Sequence, residues 1–323
     1  MNDAWKDVRR SSQERAEILV SQMTLEEKVS QMTYFSSALP RFGIMEYNWW
    51  NECLHGVGRN GTATMFPQPI GMAASFDEEA IHEAASITAK EARIKHYASV
   101  EMGDRGIYKG LTMWTPNINI FRDPRWGRGH ETYGEDPYLT SRMGVAFIKG
   151  LQGDGKTLTC VSTAKHFAAH SGPEAERHEF DVSPSNRDMT LTYLPAFKAA
   201  VQEAGVESVM GAYNRVYGQA ACASDYLLVK NLREEWGFEG YVVSDCGAIE
   251  DIYQHHKLVN TPAEAAALAV NNGCDLCCGM AFPHLLEAVK QGLITEDTIT
   301  RAVTRLMRAR IKLGMFDAID GQP

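Results

Sequence analysis

The sequence predicts an α/β fold in one domain, a (β/α)8-like barrel of the TIM type. Short apolar runs alternate with helical patterns along the chain, which is typical of parallel sheet built from βαβ units. Several runs are almost continuously apolar, as expected of strands buried on both faces. The length of 323 residues suits a barrel of about 250 residues with an elaborated N-terminal region.

The predicted strands and helices follow one another in a regular order. The strand candidates are residues 111–115, 158–164, 208–213, 240–244 and 274–278. Helical patterns cover residues 137–151, 189–204, 224–236, 263–271, 284–291 and 296–313. Two further helices are predicted from capping boxes, Thr24-x-x-Glu27 and Ser75-x-x-Glu78. No repeat or linker divides the chain, so we expect residues 1–323 to form one barrel domain, with 1–60 as an N-terminal elaboration.

Charge and hydropathy exclude several kinds of partner. The net charge is −9 and no run of Lys or Arg forms a basic stripe, so we expect no nucleic-acid partner. The apolar stretches are far shorter than a membrane span, so we expect no membrane partner. Residues 1–15 lack the apolar core of a signal peptide. These features favour a cytoplasmic location, although an exported protein whose signal had been removed would look the same.

The seven cysteines are scattered along the sequence. Cys274-x-x-Cys277 has the spacing of a redox or zinc motif, but no second pair lies nearby. We therefore expect buried free thiols, which favour a reducing compartment.

Polar side chains cluster where the predicted strands end. Lys165 and His166 follow one strand, Tyr213 follows another, Asp245 follows a third, and Arg128 lies in the loop after the first. In a parallel barrel the C-terminal strand ends face one mouth, where active sites lie. We therefore expect these five side chains to converge, although they are far apart in sequence.

Their chemistry is that of a sugar site with a nucleophile. Arg, Lys and His donate hydrogen bonds to hydroxyls, and a carboxylate among such cations is expected to have a lowered pKa and to stay ionised. Indole rings offer flat faces for sugar rings. The candidates for such contacts are Trp49, Trp50, Trp114 and Trp126.

Ordinary structural roles are open for the same residues. Asp245 alone could cap the following helix, Arg128 and Glu131 could form a structural ion pair, and the tryptophans could belong to the core. A zinc site is suggested by His166-x-x-x-His170, but residues four apart on a strand do not share a face. We therefore expect no metal and no cofactor.

Five motifs resemble the N-terminal barrel domain of family 3 glycoside hydrolases. They occur in the expected order and span about residues 15–317. The motifs are Tyr47-Asn-Trp-Trp-Asn-Glu-Cys-Leu-His-Gly-Val-Gly58, Phe66-Pro-Gln-Pro-Ile-Gly71, Asp123-Pro-Arg-Trp-Gly-Arg-Gly-His-Glu-Thr-Tyr-Gly-Glu-Asp136, Lys165-His-Phe-Ala-Ala-His170 and Val243-Ser-Asp-Cys-Gly247.

The resemblance implies a role for each matching residue. Asp245 matches the nucleophile of a retaining β-glycosidase, and Tyr213 matches the tyrosine beside it. Glu131 is expected to orient Lys165 or Arg128 from behind. The residues expected to hold the hydroxyls of the non-reducing-end sugar are Glu52, Arg128, Lys165, His166 and Arg177.

The form of the first motif bears on the substrate. Glu52 beside Trp49 and Trp50 resembles the β-xylosidase and α-L-arabinofuranosidase branch, because a longer carboxylate would fill the space that a glucose hydroxymethyl group needs. Excluding one such group discriminates by only about 1–3 kcal/mol. A β-glucosidase and a sugar-binding barrel without turnover are the alternatives.

A retaining glycosidase also needs a proton donor. In most of the family this group lies in a second α/β sandwich domain after the barrel, and we expect that domain to be lacking here. The donor could instead come from a C-terminal domain partner or a second copy through self-association. It could also lie within the barrel at His178, or at the loop carboxylates Glu174, Glu176 and Glu179.

Overall fold

The computed structural model describes residues 2–318 and shows a barrel with short strands. The strands are Phe35–Ser36 (β1), Tyr47–Asn48 (β2), Thr112–Met113 (β3), Val161–Phe167 (β4), Asp181–Val182 (β5), Ser208–Gly211 (β6), Arg215–Val216 (β7), Gln219–Ala220 (β8) and Tyr241–Ser244 (β9). Four of the five predicted segments overlap β3, β4, β6 and β9, and β4 extends three residues beyond its predicted end. The prediction of buried strands at these places is therefore confirmed, with different bounds.

Helices follow most of these strands. The α-helices are Ser12–Val20 (α1), Leu25–Ser30 (α2), Pro69–Ala73 (α3), Glu78–Glu101 (α4), Pro137–Gln152 (α5), Asn186–Asp188 (α6), Pro195–Gln202 (α7), Ala248–Gln254 (α8), Pro262–Asn271 (α9), Leu285–Lys290 (α10) and Glu296–Lys312 (α11). Met189–Tyr193 and Asp225–Glu235 form wider π-type helices. The predicted helix over 189–204 is thus divided at Pro195, which has no N–H to continue the hydrogen-bond ladder.

Only one of the two predicted capping boxes is present. Thr24 and Glu27 cap α2 reciprocally, as predicted. The box at Ser75 is wrong, because the side chain of Asp77 caps α4 by accepting from the amide of Ala80 at 3.0 Å. The Ser75 hydroxyl instead donates to the carbonyl of Met72 in the preceding turn.

The centre of the barrel is a parallel sheet in the order β3–β4–β6–β9. Ala164 of β4 pairs with Val209 of β6, and Val209 pairs with Val242 of β9. Every residue of these four strands is buried. This double-sided burial explains why the strands read as apolar runs rather than as alternating patterns.

Isolated bridges close the sheet into a ring. The parallel bridges that complete it are Val243–Leu276, Thr33–Cys277 and Asn51–Met113. The remaining join is the antiparallel pair β1–β2. Residues 274–278, predicted as a strand, make bridges instead of a continuous strand. The closed ring brings the strand ends to one mouth, as the barrel prediction requires.

Two further features support the ring. Gly150 lets α5 approach α4 closely, since a Cβ atom there would lie 2.3 Å from the carbonyl oxygen of His82. A separate sheet, β5–β7–β8, lies beside the mouth, and the amide of Arg215 in β7 donates to the carbonyl of Phe180 at 3.0 Å. This bond anchors the end of the loop over residues 171–180.

Nowhere in residues 2–318 does a helix combine the length and apolar character needed to cross a bilayer.

Candidate active site

Asp245 lies directly after β9, at the mouth of the barrel. Its residue exposure is 8%. Oδ1 accepts a hydrogen bond from the amide of Cys246 at 2.8 Å, whereas Oδ2 is buried and has no hydrogen-bond partner among residues 2–318. The following helix is capped at Gly247 without a side-chain bond. Asp245 is therefore not the cap of this helix. Its Oδ2 makes no hydrogen bond within residues 2–318.

The electrostatics of Asp245 differ from the prediction of a lowered pKa. Burial raises the pKa of this carboxyl above its usual range, and the charges of Arg128 and Lys165 only partly oppose the shift. The prediction was wrong because it counted the neighbouring cations but not the cost of taking the carboxylate out of water. The same desolvation makes the ionised form more reactive toward an electrophile.

His166 lies beside Asp245 in a fixed orientation. Its Nε2 is 3.6 Å from Oδ2 of Asp245. Nδ1 lies 2.9 Å from Oδ1 of Asn119, and Nη1 of Arg128 lies 3.2 Å from Nε2. Because a guanidinium can only donate, Nε2 accepts and Nδ1 carries the proton. Burial, followed by the charge of Arg128, lowers the pKa of His166 well below its usual range, so the ring is neutral.

Arg128 is held from its other side by Glu131. Nε and Nη2 of Arg128 donate to the two carboxylate oxygens at 2.6 and 2.7 Å. Burial opposes ionisation of Glu131, but the hydrogen bonds and charge of Arg128 outweigh it and lower the pKa. Glu131 thus contacts Arg128, one of the two partners predicted for it. The pair fixes a cation close to the carboxylate of Asp245.

Lys165 and Glu52 form a second ion pair at the mouth. Nζ of Lys165 lies 3.2 Å from Oε2 of Glu52. Although 32% of the Glu52 side chain is exposed, its carboxyl group lies deep in the site, and this desolvation raises its pKa against the effect of Lys165. The arrangement offers a donor and an acceptor side by side, which is what vicinal sugar hydroxyls require.

Tyr213 joins this cluster to the loop over residues 171–180. Its hydroxyl donates to the carbonyl of Cys246 at 2.9 Å. The guanidinium of Arg177 lies over the Tyr213 ring, 5.2 Å from its centre, and the His178 ring packs edge-on against it at 4.7 Å. The structure thus brings all the predicted site residues into one chain of neighbours.

The cysteine prediction was wrong for one pair. Cys246 and Cys278 form a disulfide, whereas Cys53, Cys160, Cys222, Cys274 and Cys277 are free and buried. The bond joins the residue after Asp245 to the end of the neighbouring strand segment, which sequence spacing could not reveal. Disulfides persist mainly in oxidising compartments, so the cytoplasmic location stays a prediction without the support of free thiols.

Three of the four tryptophans predicted as candidates for sugar contacts are buried and cannot reach a ligand. Trp49, Trp114 and Trp126 are at most 1% exposed and belong to the core. Trp50 is half-buried and stacks on Trp114, with ring centres 5.4 Å apart. It is the member of the four whose face a ligand could reach.

Some residues that build the site were not predicted. Asn119 fixes His166, and its position just after a predicted strand was the available signal. Asp251, in the helix that follows Asp245, accepts from Nδ1 of His178 at 2.7 Å, and its place six residues after Asp245 was the available signal. No group of three or more His, Cys, Asp or Glu side chains in residues 2–318 is placed to hold a metal.

A cavity of about 450 Å³ lies away from the mouth of the barrel. Its lining includes Trp5, Phe42, Arg310 and Phe316. None of the residues of the mouth lines it, so it has no part in the chemistry described above.

Comparison with known proteins agrees with this geometry. Residues 20–309 match the sequence model of the Glycosyl hydrolase family 3 N terminal domain. The chain is 47% identical over 314 residues to xylan 1,4-beta-xylosidase of Xylanibacter ruminicola, covering 95% of this chain and 36% of that protein. It thus spans less than half the length of this relative.

Solved structures show the same likeness. A GH3 exo-beta-xylosidase in complex with a xylobiose aziridine activity-based probe superposes with a TM-score of 0.93 at 34% identity, covering 99% of this chain and 43% of that one. A beta-glucosidase from Erythrobacter marinus superposes with a TM-score of 0.86 at 30% identity, covering 98% and 47%. The chain therefore belongs to glycosyl hydrolase family 3.

Proposed function

We propose that this barrel is the nucleophile-bearing part of an exo-acting, retaining β-glycosidase that releases xylose or arabinose from the non-reducing ends of xylo-oligosaccharides. The observation that carries the proposal is the carboxylate of Asp245. One oxygen is held by a backbone amide, and the other is buried without a hydrogen-bond partner among the described residues. A structural carboxylate would have both oxygens satisfied.

The reaction follows from this geometry. Oδ2 of Asp245 attacks the anomeric carbon, and the bond to the glycosidic oxygen breaks as a glycosyl ester forms. The departing oxygen takes a proton from an acid. Water then gives a proton to the deprotonated acid and attacks the same carbon, the ester bond breaks, and both the acid and the Asp245 carboxylate are regenerated. Two displacements at one carbon retain its configuration.

The choice of sugar is supported by the Glu52–Lys165 ion pair and by the names of the relatives. The carboxylate of Glu52 and the ammonium of Lys165 would bind neighbouring hydroxyls, with the half-buried Trp50 adjacent. The relatives with 44–47% identity carry the names of xylosidases. Xylose is therefore the first sugar to test, and glucose is the comparison.

The proton donor is proposed to come from outside the described residues, from a C-terminal domain partner or from a second copy. Glu52 and Glu131 are ion-paired with Lys165 and Arg128, and His178 accepts from Arg177 at its Nε2. Each of these groups is already committed to a cation.

A fluorosugar reagent with a good leaving group tests the proposal without needing the proton donor. Dinitrophenyl 2-deoxy-2-fluoro-β-xyloside is incubated with the protein and the intact mass is measured, with the glucosyl reagent in parallel. We expect one fluoroxylosyl group on Asp245, located by peptide mapping. Asp245→Asn should take up none, whereas Asp225→Asn, a change at an exposed carboxylate, should react like the wild type.

Three other outcomes are informative. Preferential labelling by the glucosyl reagent would identify a β-glucosidase site. Xylose binding without any adduct on folded protein would identify a sugar-binding barrel and overturn the proposal. An adduct that survives Asp245→Asn would assign the nucleophile elsewhere.

A further inference from the structure

Asp251 lies beneath the loop that carries Arg177. It is 3% exposed and belongs to α8, which follows the nucleophile strand. Its Oδ2 lies 2.7 Å from Nδ1 of His178, and its Oδ1 lies 3.7 Å from Nε2 of His255. A buried carboxylate is costly unless a donor satisfies it, so the bond to His178 is its main compensation.

The hydrogen bonds around His178 have a fixed direction. Nε of Arg177 donates to Nε2 of His178 at 3.1 Å. Since the guanidinium can only donate and the Asp251 carboxylate can only accept, the His178 proton must reside on Nδ1. The ring is neutral in this arrangement. It connects Asp251 to Arg177 through two hydrogen bonds, one at each ring nitrogen.

Three neighbours hold the Arg177 guanidinium over the Tyr213 ring. Glu174 binds its Nη1 at 2.6 Å, His178 binds its Nε, and its guanidinium plane covers Tyr213. Nη2 has no hydrogen-bond partner within residues 2–318, and the Tyr213 ring beneath the guanidinium carries a hydroxyl bonded to the carbonyl of Cys246, the residue after Asp245. A guanidinium held on three sides presents its remaining donors to a ligand in one geometry.

We propose that Asp251 is a positioning residue that holds Arg177 in its sugar-binding orientation through the neutral ring of His178. This inference rests on the proposed function, because it takes Arg177 to bind the sugar. It also gives His178 a role that differs from proton donation. A ring whose Nε2 accepts from arginine has no proton to give at that atom.

A double-mutant cycle tests the connection. Xylose affinity and the concentration dependence of fluoroxylosyl labelling are measured for Asp251→Leu, Arg177→Ala and the double variant. We expect each single change to weaken sugar binding by about three- to tenfold, as for the loss of one typical hydrogen bond. If Asp251 acts through Arg177, Asp251→Leu causes no further loss once Arg177 is alanine.

Two variants separate the relay from a bulk effect of charge or packing. Asp251→Asn retains an acceptor oxygen for Nδ1 and should keep most of the affinity. His178→Gln can accept from Arg177 and donate to Asp251, so it should also keep most of it. Glu179→Gln is the matched control, because this exposed carboxylate lies 3.5 Å from His255 and, within the described residues, makes no hydrogen bond to the side chains of His178 or Arg177.

Histidine ring-nitrogen NMR shifts report on the tautomer without activity. We expect His178 to carry its proton on Nδ1 in the wild type and to show both tautomers in Asp251→Leu. Additive losses in the cycle, or a wild-type ring protonated on Nε2, would overturn the inference. If the proposed function fails instead, no variant binds xylose or takes up the reagent, and the ring shifts alone decide the relay.

Discussion

Two histidines at the mouth of the barrel share one hydrogen-bond pattern in different surroundings. His166 has Asn119 at Nδ1 and Arg128 at Nε2. His178 has Asp251 at Nδ1 and Arg177 at Nε2. The first ring is buried at the strand ends, whereas the side chain of the second is 37% exposed. In both, an acceptor on one side of a neutral ring fixes an arginine on the other.

The partner that orients each ring differs with its surroundings. At the buried position the acceptor is a neutral amide, and an ionised carboxylate there would add a second desolvation cost to that of Asp245. At the edge of the mouth the acceptor is a carboxylate that two histidines approach. The same hydrogen-bond pattern therefore uses an uncharged acceptor beneath the buried ring of His166 and a buried carboxylate beneath the partly exposed ring of His178.

Removing the Cys246–Cys278 disulfide should cause the greatest loss of stability. Cys246→Ser with Cys278→Ser should lower the free energy of unfolding by about 4 kcal/mol, because the bond closes a loop with a sequence separation of 32 residues. Urea denaturation measures this loss. The Asp245 and Tyr213 contacts, both made to Cys246, should loosen before the tautomer of His178 changes.

Cys277→Ala is the control for that double variant, since it removes a buried free thiol and should cost about 1 kcal/mol. Equal losses for the two variants would show that the bond adds nothing beyond packing.

The two arginines should differ next in their effect on stability. Arg128→Met should lower the free energy of unfolding by about 3 kcal/mol, because it leaves the partly buried carboxylate of Glu131 without its partner. Arg177→Met should cost less than about 1 kcal/mol, since its pair with Glu174 is 38% and 39% exposed. Denaturation of both variants in the same buffer makes the comparison, and equal losses would contradict the distinction between the buried and the exposed arrangement.

Asn119→Leu should remove the acceptor that fixes His166. We expect a loss of about 2 kcal/mol in stability together with weaker xylose binding, because Nε2 of His166 no longer accepts reliably from Arg128. Asn214→Leu is the matched control. It frees the buried His170, whose Nδ1 it binds at 2.9 Å, so it should cost similar stability. Unchanged sugar affinity in Asn119→Leu would count against the role of the fixed ring.

The pH dependence of the free energy of unfolding that Asp245 causes should be smaller still. Its pKa is raised in the folded state, so the folded protein binds this proton more tightly than the unfolded chain does. The resulting destabilisation is absent below the unfolded pKa of 3.8 and fully present above the folded pKa. Asp245→Asn should therefore be more stable than the wild type at neutral pH, by on the order of 1 kcal/mol.

Denaturation between pH 4 and pH 8, roughly the range over which carboxyl and imidazole groups titrate, tests this sign. The advantage of Asp245→Asn should shrink as the pH falls. A variant less stable than the wild type at neutral pH would show that Arg128 and Lys165 outweigh the burial of the carboxylate.

The barrel and the membership of the strand-end cluster could be predicted from the sequence, because both follow from local patterns. Apolar runs marked β3, β4, β6 and β9, and parallel strands place their C-terminal ends together. The family resemblance then assigned roles to Asp245, Arg128, Lys165 and Tyr213. Electrostatics were predicted less well, since the pKa of Asp245 depends on how completely the folded chain excludes water.

Local patterns in the sequence are sufficient to identify the side chains that end the strands and therefore meet at the mouth. The folded structure was needed to show which of them bind one another, that Cys246 pairs with Cys278, and that Asn119 and Asp251 are the acceptors at Nδ1 of two histidines. Periodicity and spacing are properties of neighbouring residues. Hydrogen-bond direction, desolvation and disulfide partners depend on distances between segments that are remote along the chain.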